Sequence, residues 1–326
     1  MLLQITHETH YRYQPAVETA QHMAYLQPAN HAGQRLLQFA LSVTPNVALQ
    51  RDTPDVYGNM RCFFALQTPH DELTVVAQSL VSTQVAEPSK SDLSWEQVRE
   101  RFRYHAGATF DPASEFVFAS PFVPRNTEFA AYARPSFAPG TPVLAVAQNL
   151  MERIHTDFTY ESQSTQINTP ALEALTMRKG VCQDFAHIML ACLRAQGLPA
   201  RYVSGYLLTQ SRDGAPKLIG SDASHAWVSV YVPDFPEGAR WCDFDPTNNR
   251  WGWHAPGVDY VTLATGRDFG DVSPLRGVIH GGARHRLRVG VTVTDVGENG
   301  DLFASQSQSQ LQNQGQSQTQ SQGVIN

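Results

Sequence analysis

Residues 180–197 read GVCQDFAHIMLACLRAQG, from Gly180 to Gly197. At 3.6 residues per turn, Cys182, Phe185, Ala186, Met189 and Leu193 fall on one stripe. The spacing predicts a helix that opens just after Gly180 and is closed by Gly197, with Pro199 beyond. Cys182 then stands at the helix start, where unpaired N–H groups and the positive end of the dipole favour thiolate over thiol. Cys192, near the last turn, meets the opposite end of the dipole and reads as core. A lone cysteine is more often a small buried apolar side chain, so a nucleophile at 182 requires a base within reach.

The chain on either side supplies one. Upstream, Thr141-Pro142 before VLAVAQNLMERIH and Thr169-Pro170 before ALEALTMRK each read as an N-cap followed by a first helical position. Downstream, ARYVSGYLL (200–208), HAWVSVYV (225–232) and ARWCDFD (239–245) read as strands, so this half of the chain is α+β. His225 begins one strand, Asp245 ends the next, and PDFPEG between them looks like a hairpin connection. With the hairpin centred on Phe235, residues whose numbers add to 470 stand opposite each other, His225 and Asp245 among them. The carboxylate then orients the imidazole, whose other nitrogen faces the thiol. A one-residue slip would turn Asp245 to the wrong face. The bland readings are a strand histidine held by a backbone carbonyl and an aspartate that opens a turn.

Residues 3–13 alternate, with Leu3, Ile5, His7, Thr9, Tyr11 and Tyr13 on one face, as a half-buried strand requires. His7 and His10 fall on opposite faces, which argues against a shared metal. Further strand-like runs at 21–27, 35–44, 59–67 and 72–84 predict a β-rich domain over 1–85. Residues 86–137, with a short helix at 95–102, read as a linker packed on the next unit; 138–280 read as the α+β core, and 281–302 as a C-terminal strand. In the tail, 303–326, a glutamine occupies every even position from 306 to 322, a composition too polar to offset the entropy of ordering.

A chain of 326 residues with a formal charge of −6 and no Lys/Arg cluster longer than two gives no electrostatic footprint for nucleic acid or an anionic membrane. The start, MLLQITHETHYRY, lacks the features of a signal peptide, and no run reaches the roughly 20 apolar residues that span a bilayer. Four scattered cysteines without CxxC spacing suit a reducing, cytoplasmic compartment better than a disulfide framework or a zinc site. No cofactor or metal is expected. The expected partner is a peptide or protein substrate, and the oligomeric state is left open.

The segments GVCQDFAH (180–187), LRAQGLPARYVSGYL (193–207), SHAWVSVYV (224–232) and WCDFDPT (241–247) resemble the bacterial transglutaminase-like superfamily. GRDFGDVSPLRGV (266–278) and the β-rich start resemble its subgroup with an N-terminal transglutaminase-associated domain. The resemblance implies a papain-like fold, a helix bundle packed on an antiparallel sheet. It also implies a Cys-His-Asp triad, with Cys182 as nucleophile, His225 as base and Asp245 as third member, acting on an amide through a thioester. Hydrolysis, as in a cysteine protease or amidase, is the leading expectation. A protein-glutamine γ-glutamyltransferase, an inactive binding module and, more remotely, an arylamine acetyltransferase are the rivals.

The backbone N–H of Cys182 is a ready oxyanion donor, and Tyr160 is a candidate for a second, against a packing role. Trp227 and Trp241 are candidates to wall an acyl tunnel, against core packing. Asp184, in the first helical turn, reads as structural. Arg267, Asp268 and Asp271 read as a supporting ion pair, with the substrate groove as the alternative.

Overall fold

The computed structural model describes residues 1–84, 90–107, 109–162, 164–208, 224–282 and 284–297. The predicted tail, 303–326, lies outside the described residues.

The chain begins with β1 (Leu2–Ala24), β2 (Gln34–Thr44), β3 (Leu49–Pro54), β4 (Met60–Leu66) and β5 (His70–Thr83). Leu3, Ile5, His7, Thr9 and Tyr13 are buried, as the alternation predicts. The run expected as a separate strand at 21–27 is instead the far end of β1, which continues through Pro15. Register against β5 shifts between Arg12 and Val17, around this proline, which has no N–H to give to a ladder. The two halves of β1 therefore serve different neighbours. Its first half is hydrogen-bonded to β5, and its second half to β4.

The connecting region carries α1 (Trp95–Arg101) and α2 (Thr127–Ala133), followed by α3 (Val143–Asp157), the two-residue β6 (Thr159–Tyr160), α4 (Ala171–Met177), the two-residue β7 (Lys179–Gly180) and α5 (Cys182–Ala195). Ser94 caps α1 through a capping box with Gln97. Pro142 and Pro170 occupy the cap positions of α3 and α4, so each helix starts one residue later than its Thr-Pro pair predicts. Every residue of α5 from Asp184 to Arg194 is buried, which makes it a central helix and not an amphipathic surface one. It packs on α2, α3 and α4, and against two strands of the sheet that follows.

That sheet contains β8 (Ala200–Leu207), β9 (Ser224–Tyr231), β10 (Trp241–Asp245), β11 (Arg250–Trp253) and β12 (Tyr260–Gly266), in the order β11-β10-β9-β8-β12 and antiparallel throughout. The short α6 (Phe269–Val272) leads to β13 (Leu275–Gly281) and β14 (Arg284–Asp295). Both return to the first sheet and pair with β1, β14 along its first half and β13 along its second. Within the C-terminal strand predicted over 281–302, β14 pairs with β1 of the N-terminal sheet.

The fold is a mixed α/β arrangement in which two antiparallel sheets share one interior. Leu3, Ile5, Val81, Val291 and Val293 of the first sheet belong to the same apolar cluster as Leu150 of α3, Leu190 of α5 and Val228 of β9. Polar ties reinforce the join: Gln34 exchanges two hydrogen bonds with the backbone of Thr262, and Asn59 does the same with Thr265. Among the described residues, no helix is long and apolar enough to cross a membrane.

Candidate active site

The short parallel pairing of β6 with β7 delivers Gly180 to the start of α5. There Asp184 turns back and accepts from the Val181 N–H at 2.9 Å and from Thr165 Oγ1 at 2.7 Å. The carboxylate thus holds the loop against the first turn, the structural role its position implies. Burial raises its pKa, against the pull of these two donors. A Cβ at position 180 would stand 2.7 Å from the Asp184 Cβ. Gly180→Ala is expected to push Asp184 off its partners and destabilise the protein by about 1–3 kcal/mol, read as a drop in the urea midpoint.

Cys182 is half-buried, whereas Cys62, Cys192 and Cys242 are buried. Desolvation pushes those three thiols up, Cys62 to about 12. Cys192 is therefore the inert core residue expected of its place in the last turns. Cys182 lines a cleft of about 530 Å³ together with His225, Tyr202 and Tyr160. The far wall of this cleft comes from the N-terminal sheet, through His7, Thr9 and Tyr11 of β1 and Leu287 and Val289 of β14.

His225 and Asp245 meet, but not in the expected register. Observed pairs between β9 and β10 are Trp241 with Tyr231, Cys242 with Val230, Asp243 with Ser229 and Phe244 with Val228, which add to 472. The turn is centred one residue later than assumed, and Asp245 lies diagonal to His225. A displacement of two preserves the face, so the contact survives. His225 Nε2 donates to Asp245 Oδ2 at 2.7 Å, and the ring lines the same cleft as Cys182. With Nε2 committed to the carboxylate, Nδ1 is the nitrogen left for the sulfur.

Asp245 has no exposed surface and is fully engaged. Oδ2 also accepts from Asn248 Nδ2 and from the Tyr260 hydroxyl, each at 2.7 Å, while Oδ1 accepts from the Thr247 N–H at 2.9 Å and the Asn248 N–H at 3.3 Å. Burial alone would raise its pKa; the imidazole and these donors overcome that and hold it below the usual carboxylate range. Burial likewise works to lower the His225 pKa, and the Asp245 charge reverses this, so the ring is held above its ordinary value.

Asn248 and Tyr260 were not singled out from sequence. Asn248 follows the DPT run closely enough to have been a turn candidate, but Tyr260 comes from β12, which the sequence reading omits. Tyr260 is itself held, with the Arg250 guanidinium 4.8 Å from its ring and the Trp227 ring edge-on at 5.4 Å. Tyr260→Phe is expected to cost about 1–2 kcal/mol in thermal unfolding and to leave Asp245 one donor short, raising the carboxylate pKa. An NMR titration of Asp245 reads that shift.

The remaining candidates are scattered. Tyr160 lies at the cleft, about half exposed, with its ring 6.4 Å from Phe185. Trp227 and Trp241 do not line the cleft of Cys182. Trp227 is fully buried and donates Nε1 to Asp243 Oδ2 at 2.9 Å. Trp241 packs edge-on to Phe116 and Tyr231 at the far end of the hairpin. Arg267 and Asp271 form a two-bond ion pair, and Asp268 caps α6 through the Gly270 N–H, so all three brace the fold.

The chain matches two family descriptions. Residues 3–82 match the bacterial transglutaminase-like N-terminal region, and residues 130–246 match the transglutaminase-like superfamily. An uncharacterized protein of Mycobacterium tuberculosis is 38% identical over 304 residues, covering 91% of this chain and 93% of that protein. The chain belongs to the transglutaminase-like superfamily.

The crystal structure of a "Putative Cysteine Protease" from Cytophaga hutchinsonii has the same fold, with a TM-score of 0.63 at 20% identity over 90% of this chain and 98% of that one. A protein-glutamine gamma-glutamyltransferase of Pseudomonas aeruginosa is 30% identical over 109 residues, covering 32% of this chain and 16% of that protein. The transglutaminase-like match, 130–246, takes in Cys182, His225 and Asp245, while Asn248 and Tyr260 lie beyond it.

Proposed function

We propose that this transglutaminase-like protein is a cysteine enzyme that cleaves peptide or carboxamide bonds through a thioester, with Cys182 as nucleophile, His225 as acid and base, and Asp245 as the orienting carboxylate on a papain-like core. The observation that carries the proposal is the His225–Asp245 hydrogen bond of 2.7 Å, with Cys182 and His225 lining one cleft.

The raised imidazole pKa favours an imidazolium that stabilises a neighbouring thiolate. Attack forms the S–C bond and places negative charge on the carbonyl oxygen, beside the N–H groups at the start of α5. Collapse breaks the C–N bond as the imidazolium gives its proton to the leaving amine, and the neutral ring then accepts a proton from water, which attacks the thioester. The acid leaves, and thiolate and imidazolium are restored. Tyr160 at the cleft is proposed as a second donor to the oxyanion.

Hydrolysis is the first reading, supported by the fold shared with the "Putative Cysteine Protease" of Cytophaga hutchinsonii. Amine transfer is the second reading, supported by the 109-residue likeness to a protein-glutamine gamma-glutamyltransferase. Both predict an acyl-enzyme and differ in what resolves it. Incubating the protein with a glutamine-containing peptide library, with and without a primary amine, distinguishes them by product mass. Free acid in both arms supports the hydrolase, amine adducts support the transferase, and unchanged peptides in both arms contradict the proposal.

A further inference from the structure

A second cavity, of about 200 Å³, lies between β8, β10 and β12 of the second sheet and the N-terminal loops at 29–31 and 57–59, and it shares no lining residue with the cleft of Cys182. Three of its lining atoms, Arg201 Nε, His31 Nε2 and Thr262 Oγ1, are buried and find no hydrogen-bond partner among the described residues.

All three supply N–H or O–H groups. The Gly33 N–H donates to His31 Nδ1 at 3.2 Å, so the proton of the neutral ring sits on Nε2. Burial, helped by His254 and Arg201, lowers the His31 pKa to about 4, so at pH 7 the ring is neutral and Nε2 is a donor without an acceptor. Arg201 Nε carries a permanent proton, and its guanidinium lies 4.2 Å from the centre of the Trp241 ring, which fixes its plane. The one acid in the wall does not serve these groups with its hydrogen bonds: Asp243 accepts from Trp227 Nε1 and from Ser229 Oγ. Nor does the wall close to satisfy them, because two hydrogen bonds to Gln34 pin the backbone of Thr262. His254 lines the cavity in the left-handed region, at φ 69°, with its ring 5.8 Å from His31, a conformation rare for a residue with a side chain.

Convergent donors around a cavity call for an occupant made of acceptors. We propose that this cavity is a binding site for a small oxyanion, a carboxylate or a phosphate, received by Arg201, His31 and Thr262. The Arg201 charge is partly answered by Asp243, so hydrogen bonding selects the ligand as much as charge does. The site is independent of the chemistry at Cys182.

Calorimetric titration of the full chain at fixed ionic strength, with sodium acetate, sodium succinate or inorganic phosphate and sodium chloride as control, tests this. Saturable one-site binding is expected for a carboxylate or for phosphate, and whichever binds identifies the source. Affinity should fall roughly tenfold or more in Arg201→Met and in His31→Phe, the loss expected with a buried donor, and stay unchanged in Cys182→Ala. Thr262→Val, which removes one hydroxyl at constant shape, should weaken binding while keeping the wild-type near-UV spectrum. Absence of saturable heat with all three probes overturns the proposal, as does equal binding by the wild type and a folded Arg201→Met.

Discussion

Cys182→Ala is expected to lower turnover of a peptide amide by roughly 10⁴-fold or more, with the fold intact. Loss of a nucleophile leaves only what binding and oxyanion donors contribute. The half-buried thiol lines the cleft and bears little of the core, so thermal unfolding should scarcely move. Cys192→Ala should show the opposite split. Its sulfur is wholly buried in the central helix, so truncation leaves a small void costing ~1 kcal/mol, while turnover of the folded protein is retained. Steady-state rates and urea midpoints on the two variants separate a chemical role from a packing one; equal loss of activity in both would remove the distinction between the two ends of α5.

Asp245→Asn is expected to lower turnover about 10²–10⁴-fold, and also to destabilise the protein. Five donors converge on this buried carboxylate, and breaking such a pair typically costs about 3–5 kcal/mol. The pH dependence has a definite sign. An imidazole held above its ordinary 6.5 stabilises the fold fully below that pH, and the contribution fades as pH rises through the folded value of about 10. A carboxylate held below its ordinary 3.8 stabilises the fold above that pH, and the contribution fades as pH falls through the lower folded value. The pair therefore supports the fold most between pH 3.8 and 6.5. The gap in melting temperature between wild type and Asp245→Asn should be widest there and narrow as the solution becomes alkaline. A gap that widened above neutrality would mean that His225 is neutral in the fold.

What the sequence disclosed, it disclosed through periodicity. The helix at 182–195 and the strands at 200–207, 224–231 and 241–245 follow from spacing, and so does the encounter of His225 with Asp245, because even a hairpin centre misplaced by one residue keeps both on one face. The strands at 49–54, 250–253, 260–266 and 275–281 have no predicted counterpart, nor do the two-residue β6 and β7: 49–54 is almost wholly exposed, 260–266 almost wholly buried, and 250–253 and 275–281 carry an internal glycine, so alternation has little in which to show. Tyr260 and Asn248 complete the setting of Asp245 from beyond the hairpin, and nothing local announces that convergence. Trp241 could have been set aside from register alone: it pairs with Tyr231, six residues along β9 from His225, a separation of roughly 20 Å along a strand. The cleft's far wall was also illegible, since β1 and β14 reach it by closing the N-terminal sheet with the last described strand, a pairing of residues nearly the whole chain apart.

The most direct measurement is the rate of iodoacetamide alkylation at each cysteine, resolved by peptide mass and followed across pH in the wild type and in His225→Ala. The wild type should be modified at Cys182 well ahead of Cys62, Cys192 and Cys242; in His225→Ala that lead should be lost. Comparable rates at all four thiols, or a Cys182 profile indifferent to the loss of His225, would contradict an ion pair between sulfur and imidazole and the chemistry built on it.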